Sequence, residues 1–388
     1  MVRNMKHIVK SIFVVGWYGY ENTGDEAILT VLLPTLRKIF PEAEINVLSG
    51  NPSKTAKTYG VKTVGKKRKG IWKIIKTVSV SDLIVMGGGG LIEDYGNKNI
   101  VQQYRGIHRI ACWLAPTMVA KCFGKQVAFY AQGVGPIHTK IGRLLTRLVV
   151  GCVDLITLRD EESKNLLYEI GVAKTQTHVT ADPAFILLPS NREKIKEIFD
   201  KENVNIKHRP LIGVTVCQWQ GMPNYYEQLA RSLDEISEEL NDKIVFIPFQ
   251  RYRNGDLSGD IKTASMVLNK MRHKNNVTTL LDQYSPQEIM GIIREMDVII
   301  GMRLHSLIFA GVMHVPMIGL KRHPKIESVL KQLSQEKYMC KMNEIDTLPE
   351  KMCALWSNKE KVIRELEVKA EVLKHKAMET SNYLKGMN

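Results

Sequence analysis

Basic and hydrogen-bonding side chains lie in two turns that each follow a strand-like apolar run. Arg303 and His305 come after the first run, and Ser306 begins an apolar helix. His323 and Lys325 come after the second run, at the start of another helix. Amide N–H groups at helix N-termini bind anions, and a histidine titrates near neutral pH. The pattern predicts a carboxylate or phosphate site with an acid–base group, while the alternative for a lone histidine is a place in the core.

Asp25 lies in a glycine-containing turn, GWYGYENTGDEA (16–27), after another apolar run. Its carboxylate could act as a base or orient a hydroxyl group. The alternative is a helix N-terminus in which Asp25 and Glu26 favour the helix dipole. The turn departs from the GxGxxG pattern of dinucleotide sites, and its acidic pair would repel a phosphate.

Glycines in two further turns predict a close approach of the backbone to a ligand. The run DLIVM (82–86) is followed by four consecutive glycines, and QVAFYA (126–131) is followed by a glutamine and a glycine. Glycine lets a backbone come near a ligand and present its N–H groups, although a flexible turn without a ligand is the alternative. The predicted ligand-binding residues of these turns are Gly88, Gly89, Gln132 and Gly133.

Arg159 follows the run LITL (155–158) and is a candidate anion clamp. Its planar guanidinium group could hold an anion through two parallel hydrogen bonds. A salt bridge to Asp160 or Glu162 is the alternative, since such pairs are frequent at protein surfaces.

Short apolar runs alternate with amphipathic segments, which predicts βαβ units and parallel sheets that are buried on both faces. The predicted strands cover residues 11–15, 44–49, 82–86, 126–131, 155–158 and 177–180, then 211–217, 243–249, 277–281, 297–301 and 315–320. Ser285, Pro286 and Glu288 predict a capped helix start. The predicted fold class is α/β, with two Rossmann-like doubly wound domains that face a cleft and bind ligands beyond the carboxyl ends of their strands.

The length of 388 residues is typical of two domains. We predict an N-terminal domain over 1–188, a polar linker over 189–209, a C-terminal domain over 210–356 and a C-terminal helix over 357–388. Hydrophobic residues at 44% and charged residues at 24% exclude disorder as the main state. The first apolar run leads into a glycine-containing turn, which predicts a strand rather than a secretion signal.

Several classes of site are excluded because their motifs are missing. GxxxxGKS/T, HExxH and GxSxG are absent, which excludes a P-loop, a zincin site and an α/β-hydrolase nucleophile elbow. The six cysteines form no CxxC pair, so we predict no metal site and a cytoplasmic location. The net charge of +15 favours anionic partners. Nucleic acid is not expected among them, because the sequence contains no recognisable binding module.

Six sequence blocks occur together in a fixed order between about residue 11 and residue 333: GYENTGDEAIL, GGGGLIED, YAQGVGP, TLRDEES, TADP and GMRLHSLIFAGVMHVP. In this combination the chain resembles polysaccharide pyruvyl transferases, in particular the CsaB-like enzymes of bacterial cell-wall polymers. The resemblance implies a GT-B-like fold without a cofactor. It also implies that phosphoenolpyruvate donates a pyruvyl group to a hexose or N-acetylhexosamine of a polysaccharide or its lipid-linked precursor, which forms a ketal and releases phosphate.

The resemblance also suggests roles for individual residues. The family's positions carry over onto Asp25, Arg159, His305 and Lys325, and Arg303 belongs to the same block as His305. We expect Arg159, Arg303 and Lys325 to bind the anionic groups of the donor. We expect His305 to act as acid and base, and Asp25 to orient or deprotonate the acceptor hydroxyl. The predicted catalytic residues are His305, Asp25 and Arg159, and the predicted substrate-binding residues are Arg303, Lys325, Gly88, Gly89, Gln132, Gly133 and Ser306.

Two features of the sequence leave the identity of the acceptor sugar and the location of the protein at a membrane open. The loop QRYRNGDLSGD (250–260) does not match the family's pattern. The segment 61–78 contains a basic run of four residues, Lys66, Lys67, Arg68 and Lys69, followed by apolar residues. A basic amphipathic segment can lie on an anionic membrane, here the inner membrane face. The alternative is a solvated loop followed by a helix that faces the core.

The main alternative function is that of a GT-B glycosyltransferase with a nucleotide-sugar donor. Such an enzyme would share the fold and a cationic cleft, but it would also need groups that bind a base and a ribose. The C-terminal half shows no clear acidic ligand for a ribose hydroxyl.

Overall fold

The computed structural model describes residues 8–66, 71–94, 100–172, 177–207, 209–219, 221–222, 224–253, 256–257 and 259–387, with the side chains of all but 252, 253, 256 and 257. The chain divides into two units. Within the described residues, unit 1 comprises 8–20, 25–186 and 374–387, and unit 2 comprises 21–24 and 187–373.

Unit 1 contains an eight-stranded sheet whose strands all pair in parallel. The strands are β1 (Ser11–Tyr18), β2 (Glu44–Ser49), β3 (Lys62–Gly65), β4 (Leu83–Met86), β5 (Gly89–Ile92), β6 (Gln126–Val134), β7 (Leu155–Leu158) and β8 (Thr177–Val179). The helices between them are α1 (Thr23–Ile39), α2 (Pro52–Tyr59), α3 (Ile71–Val80), α4 (Ile100–Cys122), α5 (Lys140–Val150) and α6 (Glu161–Glu169). Residues 23 and 24, at the start of α1, belong to unit 2.

The strands of unit 1 are buried on both faces, as their continuous apolar runs predict. In β1, Phe13 and Val15 face one hydrophobic cluster, while Ile12 and Val14 face another. Helices α3, α4 and α5 cover the first face, and α1 covers the second. This two-layered burial explains why the runs lack the alternation of apolar and polar residues that a half-exposed strand shows.

Unit 2 has a six-stranded parallel sheet and a small antiparallel pair. Its strands are β9 (Leu211–Thr215), β10 (Lys243–Phe246), β11 (Tyr252–Arg253), β12 (Asp256–Leu257), β13 (Val277–Thr279), β14 (Val298–Gly301), β15 (Met317–Lys321) and β16 (Met339–Lys341). The helices are α7 (Arg192–Lys201), α8 (Tyr225–Leu240), α9 (Asp260–Lys270), α10 (Pro286–Arg294), α11 (Leu304–Val312), α12 (Pro324–Gln332), α13 (Leu348–Ser357) and α14 (Lys359–Lys385).

Both sheets have the strand order of a Rossmann fold. The order is β3-β2-β1-β4-β6-β7-β8 in unit 1, where β5 pairs with β6, and β13-β10-β9-β14-β15-β16 in unit 2. The strand order therefore reverses between β1 and β4 and between β9 and β14, and ligands of doubly wound sheets bind at such points. The predicted fold class, two Rossmann-like units, is confirmed, whereas the cleft between them stays a prediction.

The segment 189–209, which the sequence predicts as a polar linker, contains a helix of unit 2. Helix α7 buries Ile195, Ile198 and Phe199, and Ile195 packs against Gly291 of α10. The division between the units falls after Ile186. The polar composition of this segment reflects the exposed face of an amphipathic helix, which a count of charged residues cannot distinguish from a linker.

The predicted C-terminal helix corresponds to α14, but its last part is a component of unit 1. Leu384 is buried in the hydrophobic cluster under α1, and the ring of Tyr383 stacks on His178 at a centroid distance of 3.8 Å. Thr380 Oγ1 donates a hydrogen bond of 2.8 Å to Thr180 Oγ1. The sequence therefore predicted the helix but not its role in completing the N-terminal core.

The sequence also left several elements out and predicted one capped helix start correctly. Strands β3, β5 and β16 and helices α2 and α4 were not predicted. The expected start of α10 is confirmed, because Glu288 N donates to Ser285 Oγ at 3.2 Å and Ser285 N donates to Glu288 Oε2 at 2.7 Å.

Among the described helices, none is both long and apolar enough to cross a membrane.

The burial of Leu384 predicts that α14 contributes to the stability of unit 1. Replacing Leu384 with alanine leaves a cavity in the core, so we expect the free energy of unfolding to fall by about 2–5 kcal/mol. Val368 of the same helix is exposed. Val368→Ala should change the free energy of unfolding by no more than about 0.5 kcal/mol. Urea denaturation measures both values, and equal losses would contradict this account of the helix.

Candidate functional site

In unit 1, the turns after β1 and β4 meet at the point where the strand order reverses. Gly89 has a φ of +113°, a backbone conformation that residues with a side chain rarely adopt. A Cβ atom built on it would lie 3.1 Å from Asp25 Oδ1. Gly88 lies against the carbonyl oxygens of Tyr130 and Ala131. The glycine turn and the carboxylate of Asp25, both predicted from the sequence, are therefore neighbours.

The two acidic residues at the start of α1 have different environments. Glu26 Oε1 accepts a hydrogen bond of 2.7 Å from Gly19 N, and Glu26 Oε2 accepts one of 3.2 Å from Tyr59 Oη. Glu26 therefore fastens the turn after β1 onto its own helix. Burial, together with the charges of Asp25 and Glu26, raises the pKa of Tyr18 well above its ordinary value. A neutral tyrosine thus lies beneath the half-buried Asp25.

Gln132 and Gly133 lie at the end of β6, behind the glycine turn. Gln132 is fully buried, and its Nε2 atom donates a hydrogen bond of 2.7 Å to the carbonyl oxygen of Gly89. Gly133 packs against the guanidinium group of Arg159. Both were predicted to bind substrate, which stays a prediction, and their contacts within the unit also give them a part in positioning the turn.

Arg159 is buried and has carboxylate partners within unit 1. Its Nη1 atom donates a hydrogen bond of 2.8 Å to Asp182 Oδ2, and its Nε atom lies 3.6 Å from Asp160 Oδ2. Burial by itself would lower the pKa of Arg159, but the nearby carboxylates of Asp182 and Asp160 raise it. The ion pair with Asp160 is the alternative that the sequence left open, and Asp182, from the TADP block, was not predicted as the stronger partner.

Glu93 and Asp94, at the acidic end of the GGGGLIED block, also stabilise the structure of unit 1. Glu93 Oε1 accepts a hydrogen bond of 2.8 Å from Arg109 Nη2 of α4. Asp94 accepts hydrogen bonds from His138 N at 2.6 Å, from Thr139 N at 2.9 Å and from Thr139 Oγ1 at 2.7 Å, which fixes the turn between β6 and α5.

In unit 2, Arg303 follows β14 and forms a bidentate ion pair with Asp260. Arg303 Nε donates to Asp260 Oδ2 at 3.0 Å, and its Nη2 atom contacts Asp260 Oδ1. The buried carboxylate of Asp260 also accepts hydrogen bonds from Phe249 N at 3.0 Å and Gln250 N at 2.9 Å. Arg303 thus holds the turn after β10, and its predicted role in donor binding stays a prediction.

Asp260 is the partner that sequence reasoning missed. It ends the loop 250–260, the segment that does not match the family's pattern, and begins α9. An aspartate at a helix start usually satisfies the helix's own N–H groups. The spacing of 43 residues between Asp260 and Arg303 offered no signal that the two side chains would meet.

His305 lies in the first turn of α11, next to a segment from the N-terminal half of the chain. Residues 21–24 belong to unit 2, where Thr23 N donates a hydrogen bond of 2.8 Å to the carbonyl oxygen of Phe249. A Cβ atom built on Gly24 would lie 2.0 Å from His305 Nδ1, so a side chain at this position would displace the imidazole ring. Gly24, from the GYENTGDEA block, therefore lies against His305.

Ser306 is fully buried and joins two strand ends. Its Oγ atom donates a hydrogen bond of 2.6 Å to the carbonyl oxygen of Arg303 and lies 2.8 Å from Thr215 Oγ1, at the end of β9. These contacts fasten α11 to the sheet, and the predicted role of Ser306 in substrate binding stays a prediction.

Lys325 lies in the first turn of α12, after the strand next to β14. His323 Nδ1 accepts a hydrogen bond of 3.3 Å from Lys325 N, so His323 caps this helix. Arg322, which was not predicted, donates through Nε to the carbonyl oxygen of Met302 at 3.2 Å. Because β14 and β15 pair in parallel, the basic side chains that follow them lie at the same edge of the sheet. In the part of the chain that the structure describes, no group of three or more histidine, cysteine or acidic side chains could hold a metal ion.

The Arg303–Asp260 pair predicts a large effect on stability. Arg303→Ala leaves a buried carboxylate without its cation, so we expect the free energy of unfolding to fall by about 3–5 kcal/mol. Lys270→Ala breaks the exposed ion pair with Glu227. This variant should lower the free energy of unfolding by no more than about 1 kcal/mol. Urea denaturation compares the two.

A double variant tests whether the unpaired charge is the cause. Arg303→Met combined with Asp260→Asn removes both charges and should recover part of the loss. If the double variant is as unstable as the sum of the two single variants, the account is wrong.

Comparisons of structure extend the fold assignment. Uridine diphosphate N-acetylglucosamine 2-epimerase from Neisseria meningitidis has a TM-score of 0.64 at 12% identity, over 96% of this chain and 99% of that chain. HepE from Anabaena, in complex with UDP and glucose, has a TM-score of 0.61 at 10% identity, over 97% and 98%. A glycosyltransferase from Rickettsia africae has a TM-score of 0.61 at 13% identity, over 98% and 97%. Likeness at such low identity shows the fold alone.

Comparisons of sequence identify the family. A search of curated proteins finds no match. The model of the polysaccharide pyruvyl transferase family matches residues 22–324. This range includes the start of α1 with Asp25, the glycine turn, Arg159, Arg303 and His305, and it ends at Pro324, the first residue of α12. The chain belongs to the polysaccharide pyruvyl transferase family.

Proposed function

We propose that this protein transfers a pyruvyl group from phosphoenolpyruvate to a hexose or N-acetylhexosamine of a cell-surface polysaccharide or of its lipid-linked precursor. The product is a pyruvate ketal, and phosphate is released. The observation that carries the proposal is the family match across residues 22–324, which includes Arg303 and His305 at the start of α11 and ends one residue before Lys325.

Lys325 and Arg322 are suited to bind the donor. Phosphoenolpyruvate carries a carboxylate and a phosphate, and both are recognised by cationic side chains and by helix N-termini. Lys325 lies in the first turn of α12, and Arg322 precedes that helix. Arg159 and Arg303 each have a buried carboxylate partner, so we assign them the positioning of the turns that line each strand edge.

The chemistry requires one proton transfer to carbon and two additions at C2 of the donor. A proton adds to the methylene carbon, which becomes a methyl group, while the first sugar hydroxyl adds to C2 and loses its proton. The C2–phosphate bond then breaks, and the second hydroxyl adds to C2 and gives its proton to the departing phosphate or to a base. His305 is our candidate for these proton transfers, and Asp25 is our candidate for orienting the acceptor hydroxyl.

His305→Ala tests the acid–base assignment. We expect turnover to fall by about 10²–10⁴-fold, the usual contribution of general acid–base catalysis. His375→Ala changes an exposed histidine of α14 and should leave turnover unchanged. The assay measures phosphate release from phosphoenolpyruvate with a panel of lipid-carrier or aryl-linked hexose and N-acetylhexosamine acceptors, and mass spectrometry detects the ketal.

The same assay separates the proposal from its rival. Phosphate release that depends on an acceptor supports the transfer of pyruvate. Turnover of a nucleotide sugar, with phosphoenolpyruvate inert, would replace the proposal with glycosyl transfer. Undiminished turnover in His305→Ala would refute the role of His305 without affecting the reaction class.

Lys325→Ala tests donor binding. A hydrogen bond to a charged group is worth about 1.5–3 kcal/mol, so we expect KM for phosphoenolpyruvate to rise by about 10–100-fold. Lys331 of the same helix is exposed, and Lys331→Ala should leave KM unchanged. Initial rates over a range of donor concentrations measure both constants, and equal KM values for the two variants would rule out the role of Lys325.

A further inference from the structure

Three neighbouring helices of unit 1, α3, α4 and α5, contain no acidic residue. They carry eight lysines and arginines, namely Lys73, Lys76, Arg105, Arg109, Lys121, Lys140, Arg143 and Arg147. Helix α4 contacts both α3 and α5. Because the helices lie side by side, their charges form one basic surface, here called the α3–α5 surface.

Large apolar side chains are exposed among these charges. Trp72 is 77% exposed and Ile100 is 83% exposed. The exposed apolar set of the three helices includes Ile71, Trp72, Ile100, Val101, Tyr104, Ile141, Leu144 and Leu148. In α5, Ile141, Leu144 and Leu148 follow a helical spacing and form one stripe. Exposed groups of this kind on a folded domain mark an interaction site.

The exposed apolar residues are not on the faces by which the three helices pack on the sheet. Val78 of α3, Ile110 of α4 and Val149 of α5 all belong to the hydrophobic cluster on one face of that sheet. The exposed residues therefore lie on the outward surface. Most of them are near the helix N-termini, which in a parallel sheet lie at the edge where the strands end. The glycine turn and Asp25 lie at the same edge of unit 1.

The basic loop before α3 contributes less than its sequence suggests. Lys66 Nζ lies 3.4 Å from the ring centroid of Trp113, and burial lowers the pKa of Lys66 to about 8. Residues 67–69 lie outside the described residues. Arg109 and Lys121 have carboxylate partners in Glu93 and Asp154. The exposed cations that remain on the helices include Lys73, Lys76, Arg105, Lys140 and Arg147.

We propose that the α3–α5 surface binds the face of an anionic phospholipid bilayer. The apolar side chains enter the interfacial layer, with Trp72 and Tyr104 at the depth of the headgroups. The lysines and arginines contact lipid phosphates. A second copy of this face is a poor partner, because a symmetric contact would bring like charges together. Nucleic acid would be attracted by the cations, but it would leave the aliphatic stripe of α5 exposed to water.

The orientation has a consequence for the acceptor, which rests on the proposed function. A bilayer at the α3–α5 surface places the strand-end edge of unit 1 near the lipid headgroups. A sugar attached to a membrane-embedded lipid would then reach the turns of this edge without leaving the membrane.

Flotation of the purified protein with lipid vesicles tests the proposal without any measurement of turnover. We expect binding to vesicles of phosphatidylcholine mixed with phosphatidylglycerol, no binding to phosphatidylcholine alone, and release as sodium chloride is raised. Equal binding to the two kinds of vesicle, or no binding to either, overturns the proposal. This series uses the wild-type chain and does not depend on any variant folding.

Two variants locate the contact. The charge variant K73Q/K76Q/R105Q/K140Q loses four cations, each worth about fivefold in affinity, and should bind about two to three orders of magnitude more weakly. The stripe variant I141Q/L144Q/L148Q should also lose binding. The control K270Q/K331Q/K337Q/K341Q removes four exposed cations of unit 2 and should bind as the wild type does. A loss as large in the control shows that net charge, not this surface, is responsible, and overturns the proposal.

Two further readouts test whether the α3–α5 surface itself contacts lipid. Vesicles with brominated lipid chains should quench the fluorescence of Trp72, and W72F should lose most of that quenching. If the stripe variant changes the oligomeric state and the wild type binds no vesicles, the surface is a contact between copies of the chain and the proposal is wrong. Phosphate release with a water-soluble acceptor should be unchanged in the charge and stripe variants, so vesicle binding and transfer of pyruvate can fail independently.

Discussion

A buried charge at the end of a strand requires a partner close by, because removing it from water costs several kcal/mol. This constraint operates in both units. Asp182 and Asp160 surround the Arg159 guanidinium in unit 1, and Asp260 holds Arg303 in unit 2. The Arg159–Asp182 and Arg303–Asp260 pairs join residues that are distant in sequence, and each fixes a turn at the edge of a parallel sheet. The turns of the candidate site depend on these pairs, and so does the backbone that presents His305.

These pairs divide the basic residues at the strand ends of the two units into two groups. Arg159 and Arg303 meet carboxylates inside their own units, which suits a role in maintaining shape. His305 and Lys325 occupy the first turns of two helices, where amide N–H groups and the helix dipole favour anions. The reaction that we propose needs both groups, since a donor with two anionic ends must be bound in a geometry that does not relax.

The fold is shared with epimerases and glycosyltransferases, and this likeness does not decide the substrate. Two Rossmann-like units occur in all of these proteins, while the chemistry depends on the side chains at the strand ends. In this chain those ends carry a glycine turn beside Asp25 and basic residues after β14 and β15. The family match extends from residue 22 to residue 324, and membership of a family says more about function than a shared fold does.

The sequence by itself determined the fold class, most strands, the family and the turns that carry polar residues, because continuous apolar runs and glycines at strand ends are local signals. It could not show which predicted ligand-binding side chains would be buried. Gln132, in the last part of β6, and Ser306, in the first turn of α11, both donate hydrogen bonds to backbone carbonyl oxygens of their own unit. Only the tertiary structure paired Arg303 with Asp260 and brought three acid-free helices together, because contacts between distant segments are decided by packing and leave no regular spacing in the chain.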